Sequence, residues 1–463
     1  MVKKTRTILF FLIFFLFLVS ASSIIFYSQG YRFNFETKKF FRTGAFSFNV
    51  RPRGASVYID NKLAKKTDLF GTVYIGNLLP KEYEIEIKKS GYLPWKKKLA
   101  VEEERVTENK NIYLVPENPQ FNLLIKDTDE FFLAPDGKKA VIKKAQADGW
   151  TLGLLNLNNN AFSPLFEEKD LSDKKEGVDL ISLEWSKDSE NILLKIGPKE
   201  IKYFVIKTAG NPLLYAINIT DDSIRKITFL PRDSQKIFFS QKLKEGNSLF
   251  SLNYKNNQIS GPIEKDILVF EVFNNDLFWL GKEGYIYQSD LSGNIIRQLN
   301  KESTEIDPNS DYQLFIFSED KIFLKKSDNL YFFNQEKQSL EKIFDKVKKV
   351  EISLDSRKTA YFTDNEIWVS FLEEIKEQPN RAKNDRIFLS RFSDKIGDVF
   401  WWTNHYLIFS VGDDIKISEI DNRGKINVYN FSEFKNPEIF WNNYDKKLYI
   451  LSEGGLYSSD GLY

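Results

Sequence analysis

One phrase recurs along most of the chain: an apolar or aromatic strand, a polar turn, then a second apolar strand. Its plainest form is Leu183-Glu184-Trp185-Ser186-Lys187-Asp188-Ser189-Glu190-Asn191-Ile192-Leu193-Leu194-Lys195. A polar residue marks the turn of each echo, at Asp136, Asp188, Asp233, Asp276, Asp320, Asp355, Asn404 and Asp445. The intervals are 52, 45, 43, 44, 35, 49 and 41 residues. Their mean of about 44 matches the length of one four-stranded propeller blade and lies well above the period of most helical repeats. The repeat therefore predicts an all-β propeller over residues 121–463, with about eight blades. The short interval between Asp320 and Asp355 leaves seven as the alternative.

Each turn is followed by a further apolar strand, at 150–157, 213–219, 248–254, 284–289, 329–334, 366–371, 414–420 and 455–458. The last repeat shows only three strands, at 438–441, 448–451 and 456–458. A fourth must come from elsewhere, and 121–125 is the natural donor, because pairing the first strand with the last blade removes two open sheet edges. Asp136, Asp188, Asp233, Asp355 and Asp445 are read as fold-defining turn residues. An aspartate there hydrogen-bonds the backbone two residues on, so one per repeat needs no metal to explain it. Two irregular stretches stand out. Residues 195–211 add an apolar segment, Tyr203-Phe204-Val205-Ile206, to the second repeat, and 373–385 insert a charged loop with Gln378-Pro379-Asn380-Arg381 into the sixth. Loops on a rigid scaffold are where binding concentrates.

Composition narrows the chemistry. Aromatic residues make up 15% of the chain, with 41 Phe and 21 Tyr, which favours strands. With no cysteine, disulfides, thiolate metal sites and cysteine nucleophiles are excluded. His405 is the single histidine, so multi-histidine metal sites are excluded and the residue is expected to be a locally bonded blade residue. Lys and Arg number 66 against 65 Asp and Glu, which lacks the basic footprint of a nucleic-acid binder. Glycines fall singly in turns, with no phosphate loop, nucleophile elbow or zinc signature. No cofactor, no metal and no catalytic residue is expected. A carbohydrate-active propeller would need two carboxylates converging on its channel.

The amino-terminal end gives an address. Lys3, Lys4 and Arg6 precede an apolar run over 8–27 broken only by Ser20, Ser22 and Ser23. At 1.5 Å per residue it spans roughly 30 Å, the hydrocarbon thickness of a bilayer. Residues 1–28 are read as a short cytoplasmic tail and an uncleaved transmembrane signal anchor, held in the cell membrane through 8–27. Cleavage after Val19-Ser20-Ala21 is the competing reading.

Residues 29–116 are read as a small antiparallel β-sandwich with membrane-proximal strands. Alternating apolar residues recur at 31–35, 39–41, 45–50 and 55–60, and Tyr83-Glu84-Ile85-Glu86-Ile87-Lys88 has one apolar face. Pro52-Arg53-Gly54-Ala55, Val57-Tyr58-Ile59-Asp60, Leu79, Tyr83 and Gly91-Tyr92 make 46–115 resemble a PEGA domain. That resemblance implies an extracytoplasmic β-sandwich module without catalytic residues. Arg53 stands where the family carries an acidic residue. Ala134-Pro135-Asp136-Gly137 and Ser186-Lys187-Asp188-Ser189 likewise resemble the turns of Tol-associated and other WD-like propellers, which implies a binding architecture. Lys88, Lys89, Trp95, Lys96, Lys97 and Lys98 form a basic, aromatic stretch that is a candidate surface for an anionic membrane or a sugar ring. The bland alternative is a solvated strand face balanced by nearby glutamates.

These readings combine into a non-catalytic, membrane-anchored, extracytoplasmic binding or scaffolding protein of the cell envelope. Its propeller would engage an envelope protein partner. The alternative is a sensor or assembly factor for envelope polymers, whose small domain binds cell-wall glycan.

Overall fold

The computed structural model describes residues 3–35, 37–147, 149–171, 177–197, 201–219, 223–244 and 246–462. Of the stretches named above, Pro198, Lys199 and Glu200 within 195–211 lie outside the described residues. The apolar run forms one helix, Lys3–Ser28, the conformation that satisfies the backbone of a lone apolar segment from within. None of its apolar window is buried against the rest of the chain. Gly30 ends it: φ there is +86°, and its N–H donates to Tyr27 O at 3.2 Å, the left-handed stop that glycine permits. A short hairpin of Tyr31–Asn34 and Lys39–Arg42 follows.

Two sheets then face each other. One has the order Thr72–Leu78, Gly44–Arg51, Val106–Tyr113, and the other Lys62–Lys66, Ser56–Ile59, Glu82–Lys88, Trp95–Ala100. Period-two alternation turns Phe46, Phe48, Val50, Val57, Ile85 and Ile87 into one shared core. The turn between Ser56–Ile59 and Lys62–Lys66 is made by Asp60 and Asn61, both left-handed, at φ 47° and 64°, as a tight two-residue hairpin requires. The antiparallel expectation fails at one place. Gly44–Arg51 pairs parallel with Val106–Tyr113, because the chain crosses to the other sheet twice, returning first with the antiparallel Thr72–Leu78 and then with Val106–Tyr113 in the original direction.

From residue 121 the described residues form eight successive four-stranded antiparallel sheets. Seven are built from consecutive strands. The eighth is completed by Phe121–Ile125, which pairs with Gly455–Ser459 beside Lys447–Ser452 and Glu438–Asn442. The apolar cores show that the sheets form a closed ring. Val141 and Leu152 of the first sheet share a core with Ile192 and Leu194 of the second. Each later pair of neighbours does the same, and Phe131 and Ile142 of the first meet Tyr449 and Leu456 of the last. The protein is thus nearly all-β, a propeller with an apolar amino-terminal helix. All eight echo residues lie at or beside the connection between first and second strands of a sheet. The 35-residue interval from Asp320 to Asp355 still holds the fourth strand of one sheet and the first of the next, on short loops. The segment Tyr203-Phe204-Val205-Ile206 is not an insertion. It lies in Lys202–Lys207, the regular third strand of the second sheet, and Leu213–Ile217 is the fourth.

Antiparallel strands alternate in direction, so the connections between first and second strands share a propeller face with those between third and fourth. The 373–385 loop joins third and fourth strands of the sixth sheet, and 420–427 joins those of the seventh. Both therefore lie on the face that carries the turn aspartates, and the β-sandwich is docked on that face.

Candidate functional site

The docking surface is built by strand alternation. Along Trp95–Ala100 burial alternates residue by residue, so Trp95, Lys97 and Leu99 must share one face. That face turns into the sandwich core, where Trp95 and Leu99 pack, and from its edge Trp95 and Lys97 reach Glu419 of the seventh sheet. Trp95 is fully buried and its Nε1–H donates to Glu419 Oε2 at 2.8 Å. The Lys97 ammonium, on a side chain with 0% exposure, donates to Glu419 Oε1 at 2.5 Å, to Asp421 O at 2.7 Å and to Lys425 O at 3.1 Å. Asn427 completes the Glu419 carboxylate through its backbone N–H and its side-chain amide. Burial pushes the Glu419 carboxyl above its ordinary value, and the Lys97 ammonium pulls it back down. Every oxygen of this buried carboxylate has donors, which a charge taken out of water requires.

Trp95 and Lys97 are therefore not surface-binding residues. The strand turns both toward the sandwich core, where Glu419 of the propeller caps them, and a sugar or lipid headgroup at the surface cannot reach them. Lys96 and Lys98 point outward and pair with Glu86 at 2.9 Å and Glu84 at 3.5 Å, and Lys88 pairs with Glu86 at 2.7 Å. Lys89 donates to Arg53 O at 2.8 Å. Lys96 and Lys98 thus pair across strands with glutamates of Glu82–Lys88, and Lys88 pairs along its own strand, so the face is balanced.

Around the Glu419 cluster the interface continues. Asn109 Nδ2 donates to Asp421 Oδ2 at 3.0 Å, Arg423 Nη1 to Glu108 O at 2.9 Å, and the Tyr113 N–H to Tyr406 Oη at 3.2 Å. The 373–385 loop reaches across as well: Gln378 Oε1 accepts the Glu108 N–H at 2.9 Å, and its Nε2 donates to Val106 O at 3.0 Å. Leu93, Tyr113 and Val115 join the apolar core between the seventh and eighth sheets.

These contacts enclose a cavity of about 310 Å³ lined by Asn109, Asp355, Lys358, Arg381, His405 and Asp421 among others. Lys358 is buried and ion-paired with Asp355 Oδ2 at 2.7 Å. Burial pushes the Lys358 ammonium down. Burial also pushes Asp355 up, but its bonds to Lys358 and Ser353 outweigh that and leave it below its ordinary value. The single histidine, His405, stands here, and burial together with the Lys358 charge lowers it to about 4. Its imidazole is neutral at pH 7. Arg381 donates to Asn422 Oδ1, while its Nε, shielded from solvent, has no hydrogen-bond partner among the described residues. The cavity thus offers a neutral imidazole, an ion-paired ammonium and a guanidinium with one unused donor. Such a set can hold a small polar group. No group of three or more His, Asp or Glu placed to bind a metal occurs among the described residues.

The turn aspartates do structural work. Asp136, Asp188, Asp233, Asp355 and Asp445 each accept the backbone N–H two residues on, at 2.9, 3.0, 3.2, 3.1 and 3.1 Å. Neighbouring turns are tied around the ring: the Asp136 N–H donates to Ser189 Oγ at 3.0 Å and the Asp355 N–H to Asn404 Oδ1 at 3.0 Å. The sequence reading missed the role of Glu419 and Asp421. An acidic pair flanking Ile420, at the end of an alternating strand where Glu419 follows Ser418, was the available signal.

No protein-family model matches the chain, and no curated protein matches it in sequence. Solved structures align with most of the chain at low identity. The C-terminal WD40 domain of Sif2 aligns over 73% of this chain and 97% of its own, with TM-score 0.49 and 12% identity. The Dos1 propeller covers 74% and 94%, with TM-score 0.48 and 13% identity. An oligogalacturonate lyase from Vibrio parahaemolyticus covers 74% and 97%, with TM-score 0.42 and 11% identity.

Proposed function

We propose that the protein is a non-catalytic binding platform of the cell envelope, anchored in the membrane by its first helix, with the sandwich and propeller outside the cytoplasm. In this reading the sandwich is a PEGA-type module and the propeller acts as Tol-associated propellers do, by holding a protein partner. The observation that carries it is the clamp between the two units. A buried Lys97–Glu419 pair and a shared apolar core fix the propeller on the sandwich, and the sandwich follows the helix after a short hairpin. A propeller held in one orientation to a membrane presents the same free surface on every copy. Its opposite face and outer strands are left for a partner. Leu213, Ile259, Ile295 and Ile296, on the outer strands of three consecutive sheets, are 48%, 48%, 57% and 57% exposed. In this reading they are the candidate contacts for a protein partner. The loss of Trp95 from the surface removes the aromatic platform on which the glycan alternative leaned.

The chain has no cysteine, so topology can be read with single substitutions. Lys244→Cys should react with a membrane-impermeant maleimide in intact cells, and Thr5→Cys should react only after the membrane is opened. Labelling of Thr5→Cys alone in intact cells would overturn the proposed orientation, and release of an unanchored protein would overturn the anchor.

A further inference from the structure

The hairpin that follows the helix carries more apolar surface than its place in the fold explains. Phe35 is 85% exposed, Phe40 67% and Phe33 38%. The three rings form one cluster, with Phe33 centred 5.2 Å from Phe35 and 5.1 Å from Phe40. Register accounts for it: Phe33 and Phe40 are directly opposed across the two strands, so both project from the same side. None of the three enters the sandwich core. Beside them, Lys38 and Lys39 are exposed and form no ion pair with any described carboxylate.

The hairpin is not a loose tail. Arg32 Nη1 donates to Tyr27 O at 2.8 Å, and its guanidinium lies 3.5 Å above the Tyr27 ring. Nη2 of the same residue donates to Asn77 Oδ1 at 3.1 Å, on the sandwich. Phe26 stacks edge to face on Tyr31 at 5.5 Å. Arg42 donates to the Tyr31 hydroxyl at 2.9 Å and pairs with Glu104 of the sandwich. Helix, hairpin and sandwich are thereby linked through Arg32 and Arg42. Only Gln29 and Gly30 separate the helix from the first strand. Phe35, at the turn, is only seven residues after Ser28, so even a fully extended chain would place it no more than about 25 Å from the end of the helix.

We propose that this hairpin is a second membrane contact: the Phe33, Phe35 and Phe40 cluster sits in the headgroup and upper acyl region, and Lys38 and Lys39 bind anionic lipid headgroups. Phe side chains on the apolar face of an interfacial element bury to about that depth, at the headgroup and acyl boundary. Unpaired lysines near an anionic surface add attraction that salt screens. With a helix end and a hairpin both engaged, tilting the protein about the helix end would lift the hairpin out of the surface, so the anchor resists tilt. The propeller is then held at a set tilt, which a single helix cannot impose. The inference rests on reading the helix as a membrane anchor, and its test separates the two.

The full chain, carrying Thr37→Cys labelled with an environment-sensitive fluorophore, is reconstituted in nanodiscs of phosphatidylcholine and phosphatidylglycerol. Nitroxide lipids quench the probe from a shallow or a deep acyl position. Ile13→Cys reports on the helix, and Lys244→Cys on the propeller. The expected result is strong quenching at residue 37 by the shallow nitroxide, with about half or more of the emission lost, as for a group at the acyl boundary. Deep quenching is expected at residue 13 and none at residue 244. Adding Lys38→Glu and Lys39→Glu, or Phe35→Ser and Phe40→Ser, should each reduce the quenching at residue 37 and leave residue 13 unchanged. An unquenched probe at residue 37 beside a quenched probe at residue 13 overturns the inference and leaves the anchor standing. An unquenched residue 13 overturns both.

Discussion

Lys97→Met tests the clamp on which the fixed geometry depends. The substitution keeps the side-chain length and removes the ammonium. The Glu419 carboxylate, whose side chain is 3% exposed, then loses its ion-pair partner among the described residues, and the carbonyls of Asp421 and Lys425 lose a donor. Removing one member of a buried ion pair costs about 3–5 kcal/mol. Trp95 and Asn427 still donate to Glu419, which places the cost near the lower end, at about 3 kcal/mol. At about 1.4 kcal/mol per factor of ten, the undocked state should gain roughly a hundredfold in population. The assay is limited proteolysis by chymotrypsin under native conditions. Tyr113 packs on Trp402 and Tyr406 of the propeller and becomes cleavable only on undocking. When reclosing is fast, the cleavage rate follows the population of the open form. Cleavage should accelerate by about two orders of magnitude in Lys97→Met. It should fall back toward wild type in Lys97→Met/Glu419→Leu, where no charge is left buried. A single variant cleaved within about a factor of two of wild type would refute the argument, as would a double variant more labile than the single.

His405 gives a pH prediction with a defined sign. Its folded value of about 4 lies below its ordinary 6.5, so between those values the unfolded chain binds the extra proton. Stability from keeping it neutral is complete above pH 6.5 and is lost as pH falls toward 4, by up to about 3 kcal/mol. Urea unfolding at pH 7 and pH 4.5 should show this loss in wild type and a flatter profile in His405→Gln. Trp95→Ala should cost about 3–5 kcal/mol through the cavity left and the donor lost, read as a lower unfolding midpoint. Asp188→Ala removes the acceptor for Ser186 Oγ at 2.5 Å and the Glu190 N–H at 3.0 Å, and should cost about 1–3 kcal/mol. Deleting 121–125 strips the fourth strand from the last sheet and exposes Gly455–Ser459 as an edge, so the variant should aggregate in light scattering where wild type stays dispersed.

The ring was legible in the sequence because its signals are local. Asp136 and Asp188 announce turns through bonds to residues two positions away, and the flanking strands declare themselves by apolar runs. Closure by 121–125 followed from counting strands in the last repeat. The second sheet was misread because its strands are short and nearly uniformly apolar, so Lys202–Lys207 looked like an addition to a two-strand phrase. The parallel pairing of Gly44–Arg51 with Val106–Tyr113 leaves no mark on either strand alone. Least legible was the clamp. Lys97 and Glu419 stand 322 residues apart, and a lysine among lysines reads as solvated until alternation along Trp95–Ala100 is set against a partner. The cavity is hidden for the same reason, since its lining comes from Asn109 of the sandwich and from turns of two propeller sheets.

The most direct measurement of the platform reading is photocrosslinking in intact cells from a benzophenone amino acid at position 296, on the outer strand Ile295–Gln298. The account predicts one discrete protein adduct that saturates with expression level and disappears when Ile259→Asp and Ile295→Asp are added. Absence of any protein adduct, together with pelleting of the full chain on protein-free cell wall, would contradict it and make glycan the ligand.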